Sequence, residues 1–249
     1  MTTDYNKHGV ARQYQQAKQQ PWRHRVEAYS FLRCIGDLAG KSVVDMACGE
    51  GHFTRRLKLG GASTVMGFDV SERMVELARA QEADDPAGIE YVVHDARELA
   101  VDRAFDLAVS AWLLVYARER EELARMCRGI ASWLRPGGRF VTFTTNPDLY
   151  LFQPRGDFRP YGFEVLVEDQ VYEGAPITWR IHMDDTVLDI ENYYLPISAY
   201  ESACREAGFR DFRVHGLELA PAEDGVDDHE HWAEFMRAPP AVMLECVRE

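Results

Sequence analysis

The chain has 249 residues, 46% of them hydrophobic and 28% charged, with 28 Lys+Arg against 41 Asp+Glu and a formal charge of −13. That apolar fraction can fill a core, which argues against disorder, and the length suits one domain with a cap better than two full domains. The acidic excess speaks against a sequence-independent grip on nucleic-acid phosphates and against docking on anionic lipid. The longest apolar stretch, Leu107 to Ala117, is interrupted by Ser110 and falls short of the roughly 18 residues of a membrane span. Met1 to His8 lack the apolar heart of a secretory signal. The 5 cysteines are scattered, without a C-x-x-C pair. They predict neither a disulfide framework nor a metal site, and they fit a reducing cytoplasm.

The first forty residues read as helical, with Val26, Tyr29, Leu32, Ile35 and Leu38 on a narrow apolar stripe after Pro21 and Gly40 as the stop. From there strands and helices alternate. Ser42 to Met46 is a first strand, followed by Gly49, Gly51 and a helix from His52. Thr64 to Phe68 is a second strand, and Ser71 caps a helix carrying Met74, Leu77 and Ala78. Ile89 to Val93 and Phe105 to Ser110 are a third and a fourth. A helix with Leu123, Met126, Cys127, Ile130 and Leu134 on one side is stopped by Pro136-Gly-Gly138, and Phe140 to Phe143 follow as a fifth strand. Such alternation predicts a parallel sheet with right-handed crossovers.

After residue 145 the pattern changes. Short β-like runs (Phe163 to Val167, Ile177 to His182, Thr186 to Ile190) predict an insertion, 146–197, over the carboxyl edge of the sheet. Ser198 and Glu201 have capping-box spacing for a last long helix ending at Gly208. Phe212 to Leu219 and Val242 to Val247 read as two final strands, with Glu223 to Glu230 a solvated acidic loop between them. The expected organisation is therefore a single domain over 1–249. Residues 1–40 form a helical lid, 41–145 a cofactor-binding core, 146–197 the acceptor-side insertion and 198–249 the rest of the sheet.

Open α/β sheets bind ligands at the carboxyl ends of their strands. The first strand ends in Asp45-Met-Ala47-Cys48-Gly49-Glu-Gly51-His-Phe-Thr54. Gly49 and Gly51 allow a tight turn and close approach of a ligand to the backbone. The dinucleotide fingerprint fails, because its third small position is Thr54 and because Asp45 and Glu50 would repel a pyrophosphate. Two carboxylates there suit a ligand bearing an ammonium or a sulfonium, and S-adenosylmethionine is one. Asp69 ends the second strand twenty residues after Gly49, the spacing at which a carboxylate takes ribose hydroxyls. Asp95, after the third strand, can accept from an adenine amino group or simply cap the next turn. Ser110 and Trp112, at the end of the fourth, are expected in the floor of the site.

Taken together, Val43-Val-Asp-Met-Ala-Cys-Gly-Glu-Gly51, Gly67-Phe-Asp69, His94-Asp-Ala96, Phe105-Asp106 and Leu134-Arg-Pro-Gly-Gly138 resemble the class I S-adenosylmethionine-dependent methyltransferases. The resemblance implies a Rossmann-like seven-stranded sheet, order 3-2-1-4-5-7-6, with strand 7 antiparallel and helices on both faces. It puts Ala47, Cys48, Gly49 and Gly51 under the methionine moiety and Asp45 near its amino group. Asp69 and Val70 fall by the ribose, Met74 on the adenine face, and Asp95 with Ala96 on the adenine edge. Tyr14, Trp112-x3-Tyr116, Thr145-Asn-Pro-Asp148, Tyr161-Gly-Phe163 and Tyr200 to Phe209 are similar to bacterial small-molecule methyltransferases of natural-product pathways, toxoflavin-type enzymes among them. The resemblance thus implies S-adenosylmethionine as cofactor, S-adenosylhomocysteine as product, a small-molecule acceptor, and a monomer or homodimer in the cytoplasm.

Methyl transfer from a sulfonium is an in-line displacement that depends mainly on alignment. A neutral ring nitrogen needs no base, whereas a phenol or a protonated amine does. His8, His52, His94, His182 and His215 are scattered, and only His94 stands beside a carboxylate, Asp95, expected on the opposite strand face. Tyr116 and Asn146 are instead expected to align the acceptor, although Thr145-Asn-Pro-Asp148 is also a plain turn sequence. Aromatics including Tyr5, Tyr14, Trp112, Tyr116, Tyr150, Phe152 and Tyr161 crowd the segments expected round the pocket mouth. They suit a planar acceptor, and Tyr14 is expected as a lid over the cofactor. The competing readings are a nicotinamide oxidoreductase, an aminopropyl transferase, and a catalytically inactive scaffold that binds the same cofactor.

Overall fold

The computed structural model describes residues 6, 13, 17–99, 104–151, 155–183, 186–222 and 228–249. A helical run opens with a π-turn, Arg23–Ala28, and continues as α1 (Tyr29–Ile35). It ends before the expected Gly40, because Gly36 takes a left-handed φ of 73° and returns its N–H to the carbonyl of Leu32. Five strands then alternate with three helices: β1 (Ser42–Met46), α2 (His52–Leu59), β2 (Thr64–Asp69), α3 (Glu72–Asp84), β3 (Glu90–Val93), β4 (Phe105–Ser110), α4 (Arg120–Ser132) and β5 (Leu134–Thr145). Ser71 caps α3 as expected, its hydroxyl accepting from the Met74 N–H.

The Pro136-Gly-Gly138 stretch is not a helix stop. α4 has already ended at Ser132, and Leu134 pairs with Phe105 before Arg139 pairs with Leu107. The three residues form an irregularity within β5, with Gly137 at φ 78°. A bulge is where a strand accepts glycine and proline.

Beyond β5 come β6 (Phe163–Val167), β7 (Pro176–Met183), β8 (Thr186–Tyr193), α5 (Ile197–Glu206), β9 (Phe209–His215), α6 (His229–Arg237) and β10 (Ala241–Arg248). Pro196, not Ser198, sits at the cap of α5 and leaves Ser198 inside the helix. β9 starts three residues earlier than expected, since Gly208 at φ 85° turns the chain straight out of α5. It also stops sooner: past His215 the backbone turns to α1, where Glu218 exchanges hydrogen bonds with the Ser30 hydroxyl. α6 begins inside the segment expected to be an acidic loop, and it buries Trp232 and Phe235 beneath an acidic outer side.

The main sheet has seven strands in the order β3-β2-β1-β4-β5-β10-β9, with β10 antiparallel to both neighbours. This is the strand order that the resemblance implies, with β10 as its antiparallel strand 7. Alternation along the strands divides the core in two. Val43, Val65, Leu107, Val141 and Phe143 face α1, α2 and α3, whereas Val44, Met66, Ala108 and Phe140 face α4 and α5. Strands β6, β7 and β8 form a separate antiparallel sheet whose Phe163, Trp179 and Ile190 join the first of these cores. Among the described residues no helix is long and apolar enough to cross a membrane.

Candidate functional site

A cavity of about 340 Å³ opens at the carboxyl ends of β1 to β4, lined by Ala47, Gly49, Asp69, Met74, Asp95, Trp112 and Tyr116 among others. Two small cavities flank it. One, lined by Lys18, Asp45, Cys48 and Phe53, shares Ala47, Gly49 and Ala111 with the large one. The other, lined by Arg23, Trp179, Ile181, Ile190 and Asn192, shares Trp112 and Tyr116. The three meet along Ala111–Trp112, just beyond β4. Ala47 at φ 56° and Trp112 at φ 72° are both non-glycine residues in left-handed backbone. Such conformations concentrate where a site dictates the chain path.

The turn after β1 is held by two aspartates. Asp45 is buried, and its Oδ2 accepts from the Thr54 hydroxyl at 2.6 Å. Burial pushes its carboxyl up to about 7, against the lowering pull of that hydrogen bond and of Lys18. The third small position of a dinucleotide fingerprint is thus occupied by a hydroxyl committed to Asp45. Asp69, at the end of β2, accepts from the backbone N–H groups of Gly49 and Ser71, each at 2.9 Å. Its pKa too is raised by burial, with those N–H groups opposing the shift. Glu50 is buried beside both, and its Oε2 has no partner among the described residues. Gly51 caps α2 at φ 90°. A Cβ on it would stand 2.4 Å from Tyr91 Oη, so any larger residue would have to displace that ring.

The remaining expected residues divide. Val70 and Met74 line the large cavity, Val70 exposed and Met74 buried. Ala96 lines it also, and Asp95 does so with its carboxylate forked onto Arg97, through Nε at 2.9 and 3.0 Å and Nη2 at 2.5 Å. That pairing is the main reason its pKa is lowered. His94 and Asp95 do not diverge to opposite faces; β3 ends at Val93, and both line the cavity. Cys48 is buried in the small cavity beside Asp45, and burial pushes its thiol up.

Ser110 lies outside the cavity linings. Its hydroxyl is turned into the sheet against Thr142 at 2.8 Å, because the inward face of β4 is buried there. Asn146 is likewise committed to the backbone: Oδ1 accepts from the Asp148 N–H and Nδ2 donates to the Pro239 carbonyl. The turn reading accounts for Asn146, and the acceptor role does not. Tyr116 lines both the large cavity and the aromatic one. Tyr14, Tyr5 and Phe152 lie outside the described residues.

Sequence reasoning missed Lys18, Arg23 and Glu27 of the N-terminal segment, and Trp179 and Asn192 of the second sheet. Glu27 is 1% exposed and accepts from Arg23 Nη1 at 2.5 Å and from Trp112 Nε1. The signal available was a charged pair at i, i+4 within an apolar helical stripe. Trp179 stacks on Phe163 at 5.2 Å and meets Trp112 edge-on at 5.0 Å. The contact with Trp112 spans more than sixty residues, and local pattern carries no trace of it.

The backbone cradle and three close carboxylates fit a ligand with a cationic amino-acid end and a nucleoside. The sequence profile of a methyltransferase domain matches residues 43–138. N-demethylindolmycin N-methyltransferase of Streptomyces griseus is 26% identical over 185 residues, which are 73% of this chain and 74% of that protein. A ubiquinone biosynthesis O-methyltransferase of Pseudomonas syringae is 32% identical over 120 residues, 47% of this chain and 50% of its own length. This chain therefore spans about half of that relative. An S-adenosylmethionine-dependent methyltransferase of Mesorhizobium loti superposes with a TM-score of 0.59 at 27% identity, covering 87% of this chain and 95% of its own.

Proposed function

We propose that this chain, which is a class I S-adenosylmethionine-dependent methyltransferase acting on small molecules, methylates a planar heteroaromatic acceptor at nitrogen or oxygen in a bacterial secondary-metabolite pathway. One observation carries this reading above the rest. The cavity at the strand ends shares Trp112 and Tyr116 with a small pocket that adds Trp179, Ile181 and Ile190 to this aromatic and aliphatic wall, beside Arg23 and Asn192. A flat, largely apolar molecule suits such walls.

The cofactor supplies a methyl group already activated on sulfur. The chain's own residues bind, orient and exclude water. Asp45 is the partner for an ammonium, with Ala47, Cys48, Gly49 and Gly51 shaping the turn beneath the amino-acid end. Asp69 already accepts one backbone N–H at each oxygen, and its remaining lone pairs suit ribose hydroxyls. Val70 and Met74 flank the nucleoside, while Ala96 and Asp95 border its base. Tyr14 is the proposed lid. Tyr116 aligns the acceptor, and Ser110 and Asn146 act indirectly by fixing the ends of β4 and β5. Alignment of this kind can supply on the order of 7–11 kcal/mol of the barrier. A neutral ring nitrogen then needs no general base.

A nicotinamide oxidoreductase is disfavoured by Thr54 and the neighbouring carboxylates. An aminopropyl transferase would want acids round the acceptor pocket, which is instead lined by Trp112, Tyr116, Trp179, Ile181 and Ile190. The test is turnover of S-adenosylmethionine with a panel of heterocycles, phenols and amines. Asp69→Ala serves as control and should weaken S-adenosylhomocysteine binding roughly ten- to a hundredfold. Turnover on amines alone, or on none of the panel, would overturn the acceptor class. Unchanged affinity in folded Asp69→Ala would overturn the cofactor assignment.

A further inference from the structure

The aromatic pocket is lined by two polar side chains with hydrogen-bonding capacity that no described residue takes up. Arg23 and Asn192 are each 3% exposed, and both line it. One face of the Arg23 guanidinium lies over the Trp22 ring, 4.1 Å from its centroid. Its Nη1 donates to Glu27 at 2.5 Å, but no described residue accepts from the buried Nε or from Nη2. The Nε–Nη2 edge is the side of a guanidinium that offers two parallel N–H groups to one acceptor. The Asn192 amide likewise has no hydrogen-bond partner among the described residues. Buried donors without partners cost stability unless a ligand or water takes them.

We propose that Arg23 and Asn192 form an acceptor-recognition subsite that takes a carbonyl oxygen on the edge of a neutral planar heterocycle. The inference rests on the methyltransferase reading above and specifies the acceptor within it. Size comes first. The pocket measures about 20 Å³, room for roughly one oxygen-sized group, so the edge of the acceptor enters and its rings stay against Trp112 and Tyr116. Charge comes second. Glu27 already balances Arg23, and the second Glu27 oxygen is buried without a partner among the described residues. A carboxylate brought here would add a negative charge to a guanidinium that Glu27 already neutralises, whereas a carbonyl accepts the same two N–H groups without adding charge.

Position comes third. Glu27 accepts from Trp112 Nε1, and Trp112 lines both pockets, so the guanidinium and the wall of the cofactor cavity belong to one hydrogen-bonded unit. The π-turn creates this unit. It aims Arg23 and Glu27 inward, one turn apart, from a helix that otherwise buries only apolar residues and Ser30. Extra residues of this kind in a helix recur at functional sites.

The probes are 2-quinolone, with a ring carbonyl; quinoline, without one; and quinoline-2-carboxylate. Each is titrated into protein saturated with S-adenosylhomocysteine, and binding is read by calorimetry and by quenching of tryptophan fluorescence. We expect 2-quinolone to bind roughly ten- to a hundredfold more tightly than either of the others. Asn192→Leu and the double variant Arg23→Met/Glu27→Gln should each abolish that preference while S-adenosylhomocysteine affinity holds. The double variant removes both charges together and keeps an acceptor for Trp112, so no unpaired ion is left buried. Equal binding or no binding of the three probes overturns the subsite. So does tightest binding of the carboxylate, or a preference that survives in both variants. Failure of S-adenosylhomocysteine itself to bind would instead overturn the methyltransferase reading.

Discussion

Asp45 is a carboxylate that the fold surrounds with too little positive charge. Its Thr54 hydrogen bond and the nearby Lys18 lower its pKa, but burial, Asp69 and Glu50 raise it, and the net value is about 7 against a reference of 3.8. The protonated form is therefore favoured on folding. The stability this contributes is full below about pH 4 and is lost as pH rises through about 7. An ammonium placed beside Asp45 reverses the preference and drives the proton off. S-adenosylhomocysteine affinity is therefore predicted to rise with pH below 7, by at most about tenfold per pH unit, and to level off above it. Calorimetry in buffers of different ionisation enthalpy should register the released proton. Asp45→Asn should flatten the profile; a profile unchanged in that variant would remove Asp45 from the amino-acid end of the site.

Among the elements, the turn between β1 and α2 couples backbone geometry to binding. Gly49 has a φ of 55°, and its N–H is held by Asp69. Left-handed backbone costs a side-chain-bearing residue roughly 1–2 kcal/mol, and more when it is β-branched. Gly36 offers a comparison, since it has a φ of 73° with no atom near the place of a Cβ. Gly49→Val and Gly36→Val should lose similar stability in urea unfolding. Only Gly49→Val should lose S-adenosylhomocysteine binding. If both bind normally, the turn serves packing alone. Strands β1 to β3 were legible because each is a short apolar run with an acid or a glycine at or just past its end, and Asp45, Asp69 and Asp95 follow from those ends. α6 was not legible, because His229, Glu230 and Glu234 outnumber the buried Trp232 and Phe235 in its pattern. Nor were the roles of Asn146 and Ser110, whose partners Pro239 and Thr142 lie 93 and 32 residues away. The acceptor side depends throughout on such distant pairings, so the sequence carried its composition but not its geometry.

At the scale of the whole molecule, the seven-stranded sheet and the three-stranded sheet divide the work. The main sheet brings the carboxylates to its carboxyl edge, and the second lays Trp179, Ile181, Ile190 and Asn192 against Trp112 and Tyr116. The histidines are distributed without regard to that division. His182 pairs with Glu164 and His215 with Glu245, each at 2.8 Å, on surfaces that line none of the three cavities. His52 is neutral, its pKa pushed down to about 3 by burial and by neighbouring cations. His94 alone among the described histidines lines the large cavity, edge-on to Phe68 and Trp133 and next to Asp95. By the proposed orientation that is the adenine end, remote from the aromatic pocket. On the proposed reading, no described histidine is placed to take a proton from an acceptor held at the aromatic pocket. Each single His→Ala variant should keep a substantial turnover number on whichever panel acceptor proves best. Tyr116→Ala should lower that number with little change in S-adenosylhomocysteine affinity, because Tyr116 stands where the cofactor cavity meets the acceptor pocket. Loss of about 10²–10⁴ in turnover from one histidine, the range for removal of a general base, would contradict base-free transfer and indicate a phenol or hydroxyl acceptor.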